Sequence, residues 1–443
     1  MSDMLSIAAS GLRAYQTALT TTSENIANAG TAGYVRRTSN VREVNSTGAT
    51  NINGMGVVAA GISRQTDVYR AGEVRLATTD LARSETASTW LDRIQGALTG
   101  NRLSEQLTTF FGAARTAAAD PSALGSRQAM LEAASSVAAG FTSTGNSLDA
   151  AAADLDATAD AAVGQFNGLN ATLARVNFAL GNVSPNTSNA ASLLDQRDQL
   201  LEQMSALTDI NVSLDHIGRV VVRQGSASGA LLVQGVDSAT ITSVRNSEGA
   251  ISYAAFIAGG MQAMTPSGGV MAGLVEGAAA IASARTNLNT IARSFAEGVN
   301  AVQAAGDNLG GTAGAAMFAI GDPASELTLS LTDPRGVAAA ARGKGQRDNA
   351  NLIALDSIRG ANGAEQALTS LITANGGALN ARNSVVDAQS AIRDNAVSAR
   401  DAVTGVNIDE EAVDLIRFQQ AYQASGRVIQ VARDVLQTIF EIR

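Results

Sequence analysis

The 443-residue chain has no cysteine, which excludes disulfide staples, thiolate zinc sites and cysteine nucleophiles together. Its one histidine, His216, rules out any two-histidine mechanism or His-rich metal site. Lys344 is the only lysine, and 31 basic residues face 40 acidic ones. The net charge of −9 argues against nucleic acid as a partner, because phosphates need a basic face to neutralise them. Aromatics amount to 4%, and the five prolines (Pro121, Pro185, Pro266, Pro323 and Pro334) all sit in turn-like settings. No run of about 18 apolar residues occurs, so no membrane contact is expected. Met1-Ser2-Asp3-Met4-Leu5 lacks a basic n-region and an apolar core, so no cleaved signal peptide is expected. These absences count against most enzymes. The expectation is a protein with no catalytic residues, no cofactor and no metal.

What is present is mostly helix. Hydrophobic residues reach 45%, enough to bury a core, and much of that fraction is Ala, Leu and Val. Phe141, Gly145, Leu148, Ala152, Leu155, Ala159, Ala162, Phe166, Leu169, Leu173, Val176 and Leu180 follow steps of four and three without a slip. That is the seam of a long helix packed lengthwise on others. A second seam runs from Val270 through Leu274, Gly277, Ile281, Leu288 and Phe295 to Val302. A weaker third runs through Val385, Gln389, Ile392, Ala396, Ala399 and Val403. Shorter helical patterns cover 73–98, 103–118, 189–207 and 348–374.

The stretch 209–265 reads as short strands parted by Gly-containing turns, and Glu326–Leu331 alternates like one more strand. The fold class is therefore mainly α with a small inserted β domain. The helices form a long antiparallel rod, a coiled-coil-like bundle built from both chain ends. Discontinuous domains are expected: 1–34 plus 405–443 as terminal assembly helices; 35–208, 268–304 and 346–404 as the helical rod; 209–267 plus 305–345 as a β-rich outer domain.

No cluster suggests chemistry. His216 lies in a turn between strands. Asp149, Asp154, Asp156 and Asp160 scatter around one side of the long helix and read as a solvated face rather than an acid–base pair. Gly54-Met55-Gly56 lacks the strand–loop–helix setting and the lysine of a phosphate loop, and reads as a β-turn. In Leu193-Leu194-Asp195-Gln196-Arg197-Asp198-Gln199-Leu200, the leucines continue into a stripe with Met204 and Leu207. The charges there suit either local ion pairs or a subunit contact.

Both termini read as amphipathic helices. The first carries Leu5, Leu12, Leu19 and Ile26 on one seam; the last carries Leu415, Phe418, Tyr422, Ile429, Leu436 and Ile439. Asn407 is its N-cap, and Asp409-Glu410-Glu411 face the positive end of the helix dipole. The two helices either pair and close one bundle, or serve as sticky ends for other subunits. The second alternative makes the ten named residues subunit-assembly positions.

Ser23-Glu24-Asn25-Ile26-Ala27-Asn28 with Gly30-Thr31-Ala32-Gly33-Tyr34 resembles the N-terminal signature of the axial proteins of the bacterial flagellum. Gly405-Val406-Asn407-Ile408-Asp409-Glu410-Glu411 and Arg417-Phe418-Gln419-Gln420-Ala421-Tyr422 resemble the C-terminal one. Leu193–Leu200, Val233-Gln234-Gly235, Asp67-Val68-Tyr69 and Phe318-Ala319-Ile320-Gly321 are similar to the hook-associated members in particular. That resemblance implies a structural protein of the hook–filament junction that polymerises with itself into a ring or tube. It implies the hook protein and a second junction protein adjoining the filament as neighbours. It further implies a type III export chaperone, and an extracellular location reached without signal cleavage. The family often carries a larger β-rich outer region than 209–265 and 305–345 provide. Two rival readings are another axial component, such as a hook or rod protein, and a cell-surface binding protein with the β insert as its ligand site.

Overall fold

The computed structural model describes residues 2–44, 56–360 and 363–441. Its spine is helix α4 (Leu124–Asn182), whose 59 residues span about 88 Å at 1.5 Å each. Along it pack α2 (Val68–Gly100), α3 (Leu103–Ala119), α5 (Ser188–Leu207) and α6 (Gly269–Ala305). Helix α9 (Ala364–Thr404) lies antiparallel on α2, with Ser88 donating to Asn383 and Asn375 donating to the Leu91 carbonyl. Helices α1 (Ser2–Asn28) and α10 (Ile408–Glu441) form a separate antiparallel pair, and the short α7 (Ala350–Ile353) and α8 (Leu355–Ile358) precede α9.

The first two seams form the core. Leu148, Leu155, Phe166, Leu173 and Leu180 of α4 are buried, as are Leu274, Ile281, Leu288 and Phe295 of α6. Glycine in the α6 seam has a packing reason: a Cβ on Gly277 would lie 2.6 Å from the Trp90 ring, so α2 and α6 touch there only because position 277 has no side chain. Near the other end of α4, Phe110, Phe111, Phe141, Phe295 and Phe318 stack edge-on and tilted, with centroids 5.3–6.3 Å apart.

The strands fall into separate small sheets. Hairpin β1 (Arg37–Glu43) and β2 (Val57–Arg64) follows α1. Beyond α5 come β3 (Ile210–Leu214), β4 (Val220–Gln224), β5 (Leu231–Gln234) and β6 (Asp237–Ser238) in one antiparallel sheet. β7 (Thr240–Arg245), β8 (Ile251–Ile257) and β9 (Gly260–Met264) form a second. β10 (Gly306–Asp307) pairs with β13 (Ala340–Ala341), and β11 (Phe318–Ile320) with β12 (Leu327–Leu329).

One device attaches several sheets to helices. A buried or half-buried asparagine amide on a helix pairs with both backbone groups of one strand residue, as a neighbouring strand would. Asn177 does so with Val220 at 2.9 Å both ways, and Asn167 with Ile241 at 3.0 and 2.7 Å. Asn300 does so with Phe318, and Asn25 of α1 with Arg37 of β1. The β insert is therefore stitched to α4 rather than hung from it.

Four details differ from the sequence reading. The β1–β2 hairpin has no alternating apolar pattern; it depends on Asn25 and on α5 for its place. The helical pattern at 348–374 is interrupted after Ile358, where a Cβ on Gly363 would meet the Ile358 carbonyl at 2.6 Å and Arg359 turns to Glu365. The third seam lies on a real helix but in the wrong register: Val385, Ile392 and Val403 are exposed, and the polar Asn375 and Asn383 contact α2. Finally, β12 joins no sheet of 210–264. Its hairpin lies towards the first half of α4, where Thr142 donates to the Ser325 carbonyl, while β3–β8 occupy the second half.

Candidate assembly interface

The seams read at the two ends meet each other. Leu5, Leu12, Leu19 and Ile26 of α1 and Leu415, Phe418, Tyr422, Ile429 and Leu436 of α10 are all half-buried, and Ala432 is fully so. Gly11 lets the helices approach, since a Cβ there would stand 3.1 Å from the Ser425 hydroxyl. The side chain of Ile439 and the residues Gly54 and Met55 lie outside the described residues.

At the far end of this pair the two terminal signatures converge. The Asn25 amide donates to Glu411 at 3.0 Å and accepts from the Tyr34 hydroxyl at 2.9 Å, besides pairing with the Arg37 backbone. Arg36 reaches Glu411 at 2.7 Å, Glu410 at 2.9 Å and Asp414 at 3.8 Å. The acids at the start of α10 thus do more than complement the helix dipole. Glu411 is only 2% exposed, and its two oxygens are met there by the Arg36 guanidinium and the Asn25 amide. Burial pushes the Tyr34 hydroxyl up to about 12, against the pull of Arg37, so it remains a neutral donor.

The Leu193–Leu200 stretch supplies the next layer. Asp195 is buried and accepts from Arg37 and Arg64, each at 2.8 Å. Asp198 accepts from Arg64 at 2.8 Å and from Arg197, and Arg197 also donates to the Gly218 carbonyl at 2.6 Å. Gln199 donates to the Ala32 carbonyl at 2.8 Å. Apart from Arg197 with Asp198, these are long-range pairs, not local ones. They lock the α1 turn and the hairpin onto α5.

Pairing leaves the opposite side of α10 bare. Val413 (65% exposed), Ile416, Val428, Val431 (56%) and Val435 fall on one arc at 100° per residue. Arg417, Gln420, Ala424 and Arg427 share the arc between Ile416 and Val428, so it presents two exposed apolar patches along the helix. The sequence reading took the stronger 4–3 seam and passed over this arc, whose signal is a second valine–isoleucine spacing half a turn away.

The remaining candidates hold no chemistry. Asp149 pairs with Arg285 of α6, Asp154 with Arg93 of α2, Asp156 with Arg245 of β7, and Asp160 accepts from Ser243 of the same strand. His216 is exposed beside Asp215, whose carboxylate accepts from the Ile217 and Arg219 amides. Among the described residues, no group of acids and histidine could hold a metal ion, and no helix is long and apolar enough to cross a membrane.

The family model described as "Flagellar hook-associated protein FlgK helical domain" matches residues 89–318. The ends match two further models: "Flagella basal body rod protein" at 5–34 and "Flagellar basal body rod FlgEFG protein C-terminal" at 402–442. Flagellar hook-associated protein 1 of Escherichia coli K12 is 25% identical, with all of both chains covered. Its counterpart in Bacillus subtilis is also 25% identical, over 98% of this chain and 97% of that protein. In fold, the chain is similar to the flagellar hook junction protein FlgK from Burkholderia pseudomallei, with a TM-score of 0.67 at 14% identity over 75% of this chain and all of that one. With the helical-domain model covering more than half of its length and both terminal signatures in place, the chain belongs to the flagellar hook-associated protein FlgK family and is a structural protein of the bacterial flagellum.

Proposed function

We propose that this chain builds the hook–filament junction by burying the bare face of α10 between copies. The observation that carries the reading is the pairing of α1 with α10, which uses one seam and leaves Val413, Ile416, Val428, Val431 and Val435 to water. Covering those five side chains is worth roughly 1 kcal/mol each, since about half of each is still exposed. Summed around a ring, that term favours a closed polymer over free copies. In this reading residues 1–34 and 405–443 are the assembly unit, the hook protein and a second junction protein are its axial neighbours, and an export chaperone covers the same apolar face of α10 before secretion. The chain leaves the cell through the flagellar export apparatus with its N-terminus intact. The nine described seam residues hold the assembly unit together, and the outer arc makes the contact.

A strain lacking this chain is expected to build hooks and shed monomeric flagellin, and to recover with the wild-type gene but not with Val431→Glu. A deletion strain that swims and retains its filaments overturns the proposal.

A further inference from the structure

A cleft of about 610 Å³ opens where the terminal helices join the rod, between the Gly30–Tyr34 turn, the first turns of α2, α5 and the end of α9. Most charges lining it are already used. Arg400 binds Glu202 and Asp401, Arg197 binds Asp198, and Asp67 caps α2 by accepting from the Tyr69 and Arg70 amides. Arg75 is different. Its guanidinium projects from α2 into the cleft and, among the described residues, makes no hydrogen bond or ion pair. Burial pushes its pKa down, and Asp198 and Glu202 pull it back only from a distance. A half-buried cation without a counter-ion is costly unless something else supplies one. Next to it, α2 presents Val68, Tyr69 (86% exposed) and Leu76 to solvent, an apolar ledge spread over about two turns.

We propose that this cleft receives an acidic side chain, flanked by apolar ones, from a second copy of the chain. The occupant follows from charge and continuity. With 40 acidic residues against 31 basic ones, another copy offers surplus carboxylates, which match Arg75, the one unspent cation among the described residues of the cleft. The cleft wall at Gly405–Val406 also runs directly into α10, whose bare arc begins at Val413. In this proposal a copy seated on that arc also reaches the cleft, so the inference rests on the assembly reading above. The guanidinium fork then takes a carboxylate, while Tyr69 and Leu76 are covered beside it.

The test places a photo-crosslinking residue in the chain as Tyr69→p-benzoylphenylalanine and compares Arg75→Glu, Arg75→Ala and Arg75→Lys in the flagellin-shedding assay. Irradiated flagella are expected to give a dimer of this chain. Arg75→Glu is expected to raise shed flagellin roughly tenfold, the loss of one charge-assisted contact. Arg75→Ala should fall between, Arg75→Lys should recover most assembly, and the melting temperature of the free protein should be unchanged. A crosslink to a different protein, or no crosslink in assembled flagella, overturns the second-copy occupant. Normal assembly by Arg75→Glu overturns the cleft's role. If that variant fails to fold, the Tyr69 crosslink, made with Arg75 intact, still decides. Val431→Glu separates the two claims: if it blocks assembly while Arg75→Glu does not, the cleft fails and the α10 reading stands.

Discussion

Replacing Asp195 by alanine should unlock the terminal unit from the rod. Its carboxylate stands between two arginines, with side-chain exposures of 9% for Asp195 and 6% for both Arg37 and Arg64. Removing one member of a buried ion pair costs about 3–5 kcal/mol, because the partner charge is left behind without solvent. Here the remaining partners soften the loss. Arg37 retains Ser188 and Ser192 at 3.1 Å and Glu24 at 3.4 Å, and Arg64 retains Asp198 at 2.8 Å. The expected loss is therefore about 3 kcal/mol, at the lower end of that range. A chain this long does not unfold in one step, so the loss is read locally. Amide hydrogen exchange in Arg37–Glu43 and Val57–Arg64 should speed up by about two powers of ten, at 1.4 kcal/mol per tenfold, while α4 is unaffected. A double change, Asp195→Ala with Arg64→Met, should cost less than the two single changes summed, because both remove the same contact. Exchange slowed as in the wild type after Asp195→Ala alone would refute the view that this carboxylate holds the joint.

Two further outcomes follow from the packing. Asn177→Ala leaves the Val220 amide and carbonyl without their partner, so the β3–β6 sheet should lose about 2 kcal/mol of protection against exchange while the α1–α10 pair is untouched. Burial alone would raise the Glu365 carboxyl, but bonds from Arg359 and Thr108 outweigh it and hold the group below its ordinary range. Its stabilising effect is then complete above about pH 4.5 and fades as the pH falls through the depressed value. The gap in melting temperature between wild type and Glu365→Gln should accordingly be widest at neutral pH and close in acid; a gap that grows in acid contradicts this assignment.

The long seams of α4 and α6 were legible in the sequence because a helix buried along one side must repeat every three to four residues. The strands of 210–257 were legible because they are apolar and bounded by glycine turns. The polar attachments were not. Asn167, Asn177 and Asn300 look like surface residues on a helix, and only the strand brought against them shows that each amide stands in for a missing ladder partner. Asn375 and Asn383 likewise carry the α2–α9 contact that the apolar Val385 and Ile392 suggested. At the ends, the sequence showed the seam through Leu12 and Leu415 but could not tell whether it faces its own partner helix or another copy. Asp195 and Asp198 read as members of local ion pairs or of a subunit contact because Arg64 lies more than 130 residues away in sequence.

The absence of cysteine allows the central claim to be tested one side chain at a time. Val431→Cys introduces a single thiol on the bare arc of α10, and Val244→Cys a control on an exposed strand far from it. The decisive measurement is the rate of maleimide labelling at position 431 in the free protein and in purified flagella, relative to position 244. The account predicts rapid labelling of both thiols in the free protein, with position 431 alone protected in flagella. Equal labelling of position 431 in the two states would mean that the bare face of α10 stays in water after assembly, and the proposed contact would be wrong.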